Sequence, residues 1–204
     1  GLKGILPEMA APPAWEDLLN PQSSRVWRPS QDSYSLPGVP QDFKIGIQPI
    51  SLWKKQFYHL PFNVPHPFAS VLTQIGCPCQ CQYCILSSYA LARRNDDELE
   101  EELSQLKFSG IRHLYIRDGM LNTSDQHLEK ICLLMRKYHF SWNAFAHLAH
   151  IGKQAGLLKK SGCRVLQFGF DSMDRETLKQ YRKAVPSSLE DSLKPLRREG
   201  IQTT

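Results

Sequence analysis

From residue 68 onward the chain is predicted to form an α/β fold on a parallel sheet, a partial (βα) barrel behind an irregular, Pro-rich N-terminal arm. Three observations predict it. Short β-rich runs alternate with runs of helical period along residues 68–204. The helical runs carry matching start and stop signals. Eleven of the fourteen prolines precede residue 68, where regular periodicity is scarce. The alternation supplies about four and a half βα units, short of the eight that close a barrel.

The elements run in order. Residues 69–75 (ASVLTQI) form a β-rich run that ends at Gly76. Residues 96–108 place Leu99, Leu103 and Leu106 at helical spacing, with acids in the first turn, Lys107 in the last and Gly110 just beyond. Residues 111–116 form a strand closed by Arg117-Asp118-Gly119. Ser124 caps a helix carrying Leu128, Ile131, Cys132 and Met135. Residues 141–145 form a third strand, and 154–160 a short helix stopped by Gly162. The strand 164–170 leads through Asp171-Ser172 into a helix over 174–183. Ser187 or Ser188 opens a last helix through Leu189, Leu193 and Leu196, stopped by Gly200, and Ile201 begins a fifth strand. Before all this, residues 1–67 read as an extended arm. Trp15, Trp27 and Trp53 give it apolar anchors, with a short helix over 14–19, a short strand over 43–47 and a boundary near Phe68.

With 41% hydrophobic and 22% charged residues the 204-residue chain has globular composition. No apolar run approaches the ~18 residues of a membrane span, and no signal peptide opens the chain; a cytoplasmic location is expected. The net charge of +5 is spread along the chain. Lys159-Lys160 and Arg197-Arg198 read as solvated helix faces, so nucleic acid is not expected as a partner.

Four of the six cysteines, Cys77, Cys79, Cys81 and Cys84, lie within eight residues directly after the first strand. In an intracellular chain that crowding reads as metal ligation, whereas Cys132 and Cys163 read as buried small hydrophobes. Cys77, Cys81 and Cys84 form C-x-x-x-C-x-x-C, and three thiolates on a short loop can hold three irons of a cubane and leave the fourth open. Two alternatives stand beside this. Cys79 could close the cluster, although C-x-C-x-C-x-x-C matches no ferredoxin spacing. The four thiolates could also hold a structural zinc, although zinc knuckles are usually set further apart. In parallel α/β folds the carboxyl ends of strands carry the chemistry, where the cysteines, Arg117-Asp118 and Asp171-Ser172 all fall. Asp118 could merely cap a turn, Asp171-Ser172 could be a helix N-cap, and Arg117 could be solvated or grip a carboxylate. His147 and His150 read as surface or packing residues.

The three-cysteine spacing, with Tyr83 before its last member, resembles the signature of the radical S-adenosylmethionine (SAM) enzymes. Gly76-Cys77-Pro78, Tyr115-Ile116-Arg117-Asp118, Ser161-Gly162-Cys163 and Phe168-Gly169-Phe170-Asp171-Ser172 look most like the subgroup with an upstream cobalamin-binding domain. The subgroup typically has Pro where this chain has Gly119, and Glu where it has Asp171; His147 stands where many relatives have Arg. The resemblance implies that Cys77, Cys81 and Cys84 hold a 4Fe–4S cluster whose open iron is chelated by SAM. It places the Tyr83 segment near the adenine, Arg117, Asp118 and Gly119 near the methionine amino group, and Asp171 and Ser172 near the ribose. Reductive cleavage of SAM would then yield a 5′-deoxyadenosyl radical that modifies or methylates a small-molecule substrate. The electron would come from a donor such as flavodoxin or ferredoxin, and cobalamin would enter through a domain not in this chain. The alternative is a non-catalytic iron–sulfur or zinc module on a half-barrel scaffold. Relatives usually carry six βα units and a glycine-rich turn after the fifth strand. The 204 residues are therefore expected to be part of a longer enzyme or a reduced version of one, to cleave SAM poorly alone, and to self-associate or be marginally stable.

Overall fold

The computed structural model describes residues 67–149, 151–184 and 188–204. Except for Pro67, the predicted arm, with its short helix and short strand, lies outside the described residues, as does His150.

Five strands form one parallel sheet in sequence order: β1 (Phe68–Val71), β4 (His113–Ile116), β5 (Ser141–Phe145), β6 (Cys163–Gln167) and β7 (Gln202–Thr203). The alternating pattern is therefore a parallel α/β fold. Between the strands lie α1 (Asp96–Phe108), α2 (Asp125–Lys137), α3 (Ala155–Lys160, entered by a 3₁₀ turn at Ile151–Gln154), α4 (Arg175–Gln180) and α5 (Leu189–Arg198). The starts of α1, α2, α4 and α5 are capped by side chains. Asn95 accepts from the Asp97 and Glu98 amides, Ser124 from His127, Asp174 from Glu176 and Thr177, and Ser188 from Asp191. Among the described residues no helix is long and apolar enough to cross a membrane.

The first predicted strand is not one strand. Its parallel pairing stops at Val71, opposite Ile116. The backbone then turns, because the Thr73 and Gln74 amides donate to the Asp118 carboxylate instead of continuing the ladder. Beyond the turn, β2 (Gln74–Ile75) pairs antiparallel with β3 (Ala92–Arg93) in a separate small sheet. The fourth strand is shorter than predicted, ending at Gln167 rather than 170. The helix predicted over 174–183 ends at Gln180, and Arg182 takes the left-handed conformation (φ 53°). The Arg182 amide donates to Lys179 O (2.9 Å) and the Lys183 amide to Leu178 O (2.9 Å). That pair of bonds is a Schellman closure, built here on arginine instead of glycine.

Because residues alternate along each strand, the sheet has two unlike faces. Val71, Ile116, Ala144 and Leu166 lie side by side on one of them. They share a continuous core with Leu99, Leu103 and Leu106 of α1, Leu128, Ile131 and Met135 of α2, Leu158 of α3 and Leu196 of α5. Cys132 and Cys163 are buried in that core, as their positions imply. Trp142, also fully buried, donates its indole N–H to Ser161 O at 3.0 Å, so its one polar atom costs little. The other face mixes Phe68, Phe145 and Val165 with Ser70, His113, Tyr115, Ser141, Asn143 and Gln167. A parallel sheet is ordinarily apolar on both sides. Here His113 Nδ1 meets Ser141 Oγ at 2.8 Å and the Tyr115 hydroxyl donates to Gln167. Asn143 is 5% exposed, and its Oδ1 has no hydrogen-bond partner among the described residues. A buried carbonyl left without a donor costs stability.

Candidate functional site

The four clustered cysteines leave the sheet through Gly76, whose φ of +84° a side chain rarely adopts; an added Cβ there would also stand 2.5 Å from Ala90 O. The β2–β3 pairing closes the base of the loop. Inside it the Cys84 amide donates to Cys81 O (3.1 Å), the Ser87 hydroxyl to Cys84 O (2.6 Å), and a 3₁₀ turn spans Ile85–Ser88. These bonds fix the spacing of the thiols on a short, tight path.

All four cysteines line one cavity of about 200 Å³ at the carboxyl end of the sheet. Its walls are largely apolar, with Leu86, Met120, Phe145, Leu148, Phe170 and Leu178 beside Tyr83, Gly119, His147, Asp171 and Lys183. Cys79 Sγ lies 3.9 Å from Met120 Sδ. Burial first, then the Cys77 thiol, pushes the Cys79 thiol up to about 11; burial also raises Cys81, against the opposing pull of Lys183. These two thiols are therefore protonated near neutral pH, and metal loading at Cys81 must release its proton.

The donor set fits a cluster better than a single ion. Among the described residues no three His, Cys, Asp or Glu side chains converge where one metal ion could be held. Zinc requires such convergence, with sulfurs ~2.3 Å from a common centre, whereas cysteines around a cubane each bind a different iron.

The structure gathers three of the six residues expected to surround SAM. Tyr83, Gly119 and Asp171 line the cavity. The Tyr83 hydroxyl donates to Asp171 Oδ2 at 2.6 Å, and Lys183 pairs with the same carboxylate and lies 3.3 Å from the Tyr83 oxygen. Burial is the largest influence on Asp171 and opposes its ionisation, yet the bonds from Lys183 and Tyr83 hold its carboxyl below the ordinary value. Desolvation and then the Asp171 bond push the Tyr83 phenol well above its own, so it remains a donor. At Gly119 an added Cβ would stand 2.3 Å from Leu86 Cδ1, the end of a flexible side chain that would have to turn aside.

Arg117, Asp118 and Ser172 sit outside the cavity lining. Arg117 is exposed, its guanidinium 4.8 Å from the centre of the Tyr115 ring. The Ser172 hydroxyl accepts from the Asp174 amide at 3.0 Å, and Asp174, not Asp171 or Ser172, caps α4. Asp118 is wholly buried. It accepts from the Thr73 amide (2.7 Å), the Thr73 hydroxyl and the Gln74 amide (3.2 Å). His127 Nε2 reaches the same hydroxyl at 2.9 Å. With that hydroxyl already donating to Asp118, His127 donates from Nε2 and is the Nε2–H tautomer if neutral. The Gln74 side chain donates to Met120 O at 2.7 Å and accepts from the Thr123 hydroxyl at 2.9 Å. Asp118 thus ties the turn that feeds the cysteine loop to the segment carrying Gly119 and Met120.

Sequence reasoning missed Lys183, Met120 and Leu178 at the cavity, and gave His147 only a packing role. His147 exchanges two bonds with the Asn122 side chain: its amide donates to Oδ1 (2.7 Å), and its carbonyl accepts from Nδ2 (2.9 Å). Its ring accepts from the Ala149 amide at Nδ1 (3.1 Å) and so donates from Nε2 to Ala184 O (3.0 Å). It braces the loops after β4, β5 and α4 around the cavity. Histidine at a strand end carried no more specific signal.

The family model described as the Radical SAM superfamily matches residues 71–204. An uncharacterized methyltransferase of Pyrococcus horikoshii, PH0819, is 27% identical over 143 residues, which are 66% of this chain and 31% of that protein. The chain thus spans about a third of the length of that curated relative. Among solved structures, the radical SAM methyltransferase TsrM of Kitasatospora setae, in forms with tryptophan and a SAM analogue or with cobalamin and a [4Fe–4S] cluster, superposes with a TM-score of 0.58 at 21% identity; the match covers 67% of this chain and 29–30% of TsrM. The cobalamin-dependent radical enzyme OxsB gives 0.54 at 18% identity, covering 66% of this chain and 22% of OxsB. At these identities the structural likeness shows a shared fold.

Proposed function

The chain belongs to the radical SAM superfamily, and from that premise we propose that Cys77, Cys81 and Cys84 hold a 4Fe–4S cluster with one iron open to SAM. The observation that carries this is the convergence of the cysteines on one cavity at the carboxyl end of a parallel sheet. When bound, the cluster supplies the electron that cleaves SAM to a 5′-deoxyadenosyl radical. The chain's own residues bind and orient. Cys79 stays a neutral thiol in the wall against Met120. Tyr83 and Asp171 border the adenosyl part, and Gly119 leaves backbone exposed where the methionine end approaches. Arg117, Asp118 and Ser172 act from outside the lining, by holding the turns on which Gly119 and Asp171 ride.

A cavity of about 200 Å³ is small against the ~300–1,000 Å³ of typical ligand sites. A second cavity of about 290 Å³ shares Leu148 and Phe170 with it and extends to Leu189, Leu193 and Thr203. Methylation, and a cobalamin that serves it, are the outcome best supported by what the relatives are called. A soluble one-electron donor such as flavodoxin or ferredoxin is the partner this chemistry requires.

The test is anaerobic reduction of the reconstituted chain with SAM. Loss of SAM with formation of 5′-deoxyadenosine, or of a demethylated or methylated product, is the expected result, at a slow rate for these 204 residues alone. A reconstituted, reducible chain whose SAM is recovered intact after many hours contradicts the reading.

A further inference from the structure

Lys183 is the one lysine or arginine among the described residues lining the cysteine cavity. Its side chain is only 14% exposed, and it reaches the cavity because the Arg182 Schellman turn lifts it off the end of α4. The same segment docks on the cysteine loop in three further ways. The Gln82 amide donates to Tyr181 O at 3.0 Å, the Tyr83 and Tyr181 rings meet edge to face at 5.4 Å, and Tyr83 bonds the carboxylate that Lys183 pairs with.

We propose that Lys183 and Asp171 form a charge pair that sets the reduction potential of the group held by the cysteine loop, Lys183 raising it and Asp171 limiting the rise. The inference rests on the cluster reading above. A cluster held by thiolates carries net negative charge that grows on reduction, so a nearby ammonium favours the reduced form and a nearby carboxylate the oxidised form. Net charge, hydrogen bonding and solvent exposure are the levers by which proteins set such potentials. Lys183, with its side chain 14% exposed, is the less screened of the two charges, and Asp171, 30% exposed, the more screened. Lys183 is thus a positioning and tuning residue rather than a ligand: it anchors the loop through Tyr83 and Asp171 and biases the electron's arrival.

The test is an anaerobic redox titration monitored by electron paramagnetic resonance, on the reconstituted full chain and four variants. Lys183→Met is expected to lower the midpoint and Asp171→Asn to raise it. Each shift is about tenfold in the reduced-to-oxidised ratio at fixed potential, about 59 mV for one electron. Lys183→Met/Asp171→Asn is expected to return near wild type, and Lys183→Arg to keep the wild-type midpoint. Single variants that shift in the same direction, do not shift, or merely lose iron alike would reduce the pair to a structural clasp and overturn the inference. A wild-type chain that loads no iron is a different failure: it overturns the cluster reading, and this inference with it.

Discussion

Cys77→Ala, Cys81→Ala and Cys84→Ala are each expected to abolish iron retention after anaerobic reconstitution, whereas Cys79→Ala keeps about four irons. The asymmetry comes from the loop. With three anchors, removing one leaves two irons without protein ligands, and the acid and histidine that share the cavity are already committed, Asp171 to Tyr83 and Lys183 and the His147 ring to Ala149 and Ala184. Cys79 is two residues from both Cys77 and Cys81, packs against Met120, and has its thiol pushed up to about 11 by burial and by Cys77. Alternate residues so close along the chain are also hard to seat on one cubane. Iron and sulfide analysis with the visible absorption of each variant reads the outcome. Equal loss in all four variants would mean that Cys79 is also a ligand.

Asp118→Ala is expected to be the most destabilising change away from the cysteines, by about 3–5 kcal/mol, the scale on which removing one partner strands buried charged or polar groups. It leaves the Thr73 and Gln74 amides and the Thr73 hydroxyl buried without their acceptor, and removes the group toward which His127 is aligned. Asp118→Asn keeps an acceptor for the amides and should cost about 1–3 kcal/mol, the penalty of one mismatched buried bond. Since Gly76 and Cys77 come directly after this turn, the alanine variant should also load iron poorly. Urea unfolding of the metal-free proteins measures both costs, and a loss below about 1 kcal/mol for Asp118→Ala would show that the network does not hold the turn.

Much of the scaffold is legible in the sequence because its signals are local. Apolar spacing marks the helices, and Ser124 and Ser188 cap them as their positions imply. Gly110, Gly162 and Gly200 stop helices where positive φ is needed, at 80°, 90° and 70°. Two further helix ends use His139 and Arg182 in the same conformation, both at φ 53°. Nothing in an arginine or histidine announces that role, so the helical pattern after β6 runs three residues past the true end and puts Lys183 on the helix surface. The run 69–75 reads as one strand because Thr73 and Gln74 are compatible with a strand pattern. The partner that bends them away, Asp118, lies 45 residues further on, beyond the reach of any local pattern. The same long-range bond places Asp118 outside the cavity lining. The cysteine loop is legible because ligand spacing is itself local; the Tyr83–Asp171–Lys183 cluster, joined across 88 and 100 residues, is not.

The most direct test of the account is the paramagnetic spectrum of the reduced cluster before and after SAM is added. An iron without a protein ligand must be occupied by SAM, so the account predicts a changed spectrum in the wild type and the same change in Cys79→Ala. A four-iron spectrum left unaltered by saturating SAM would mean a closed cluster, and would contradict it.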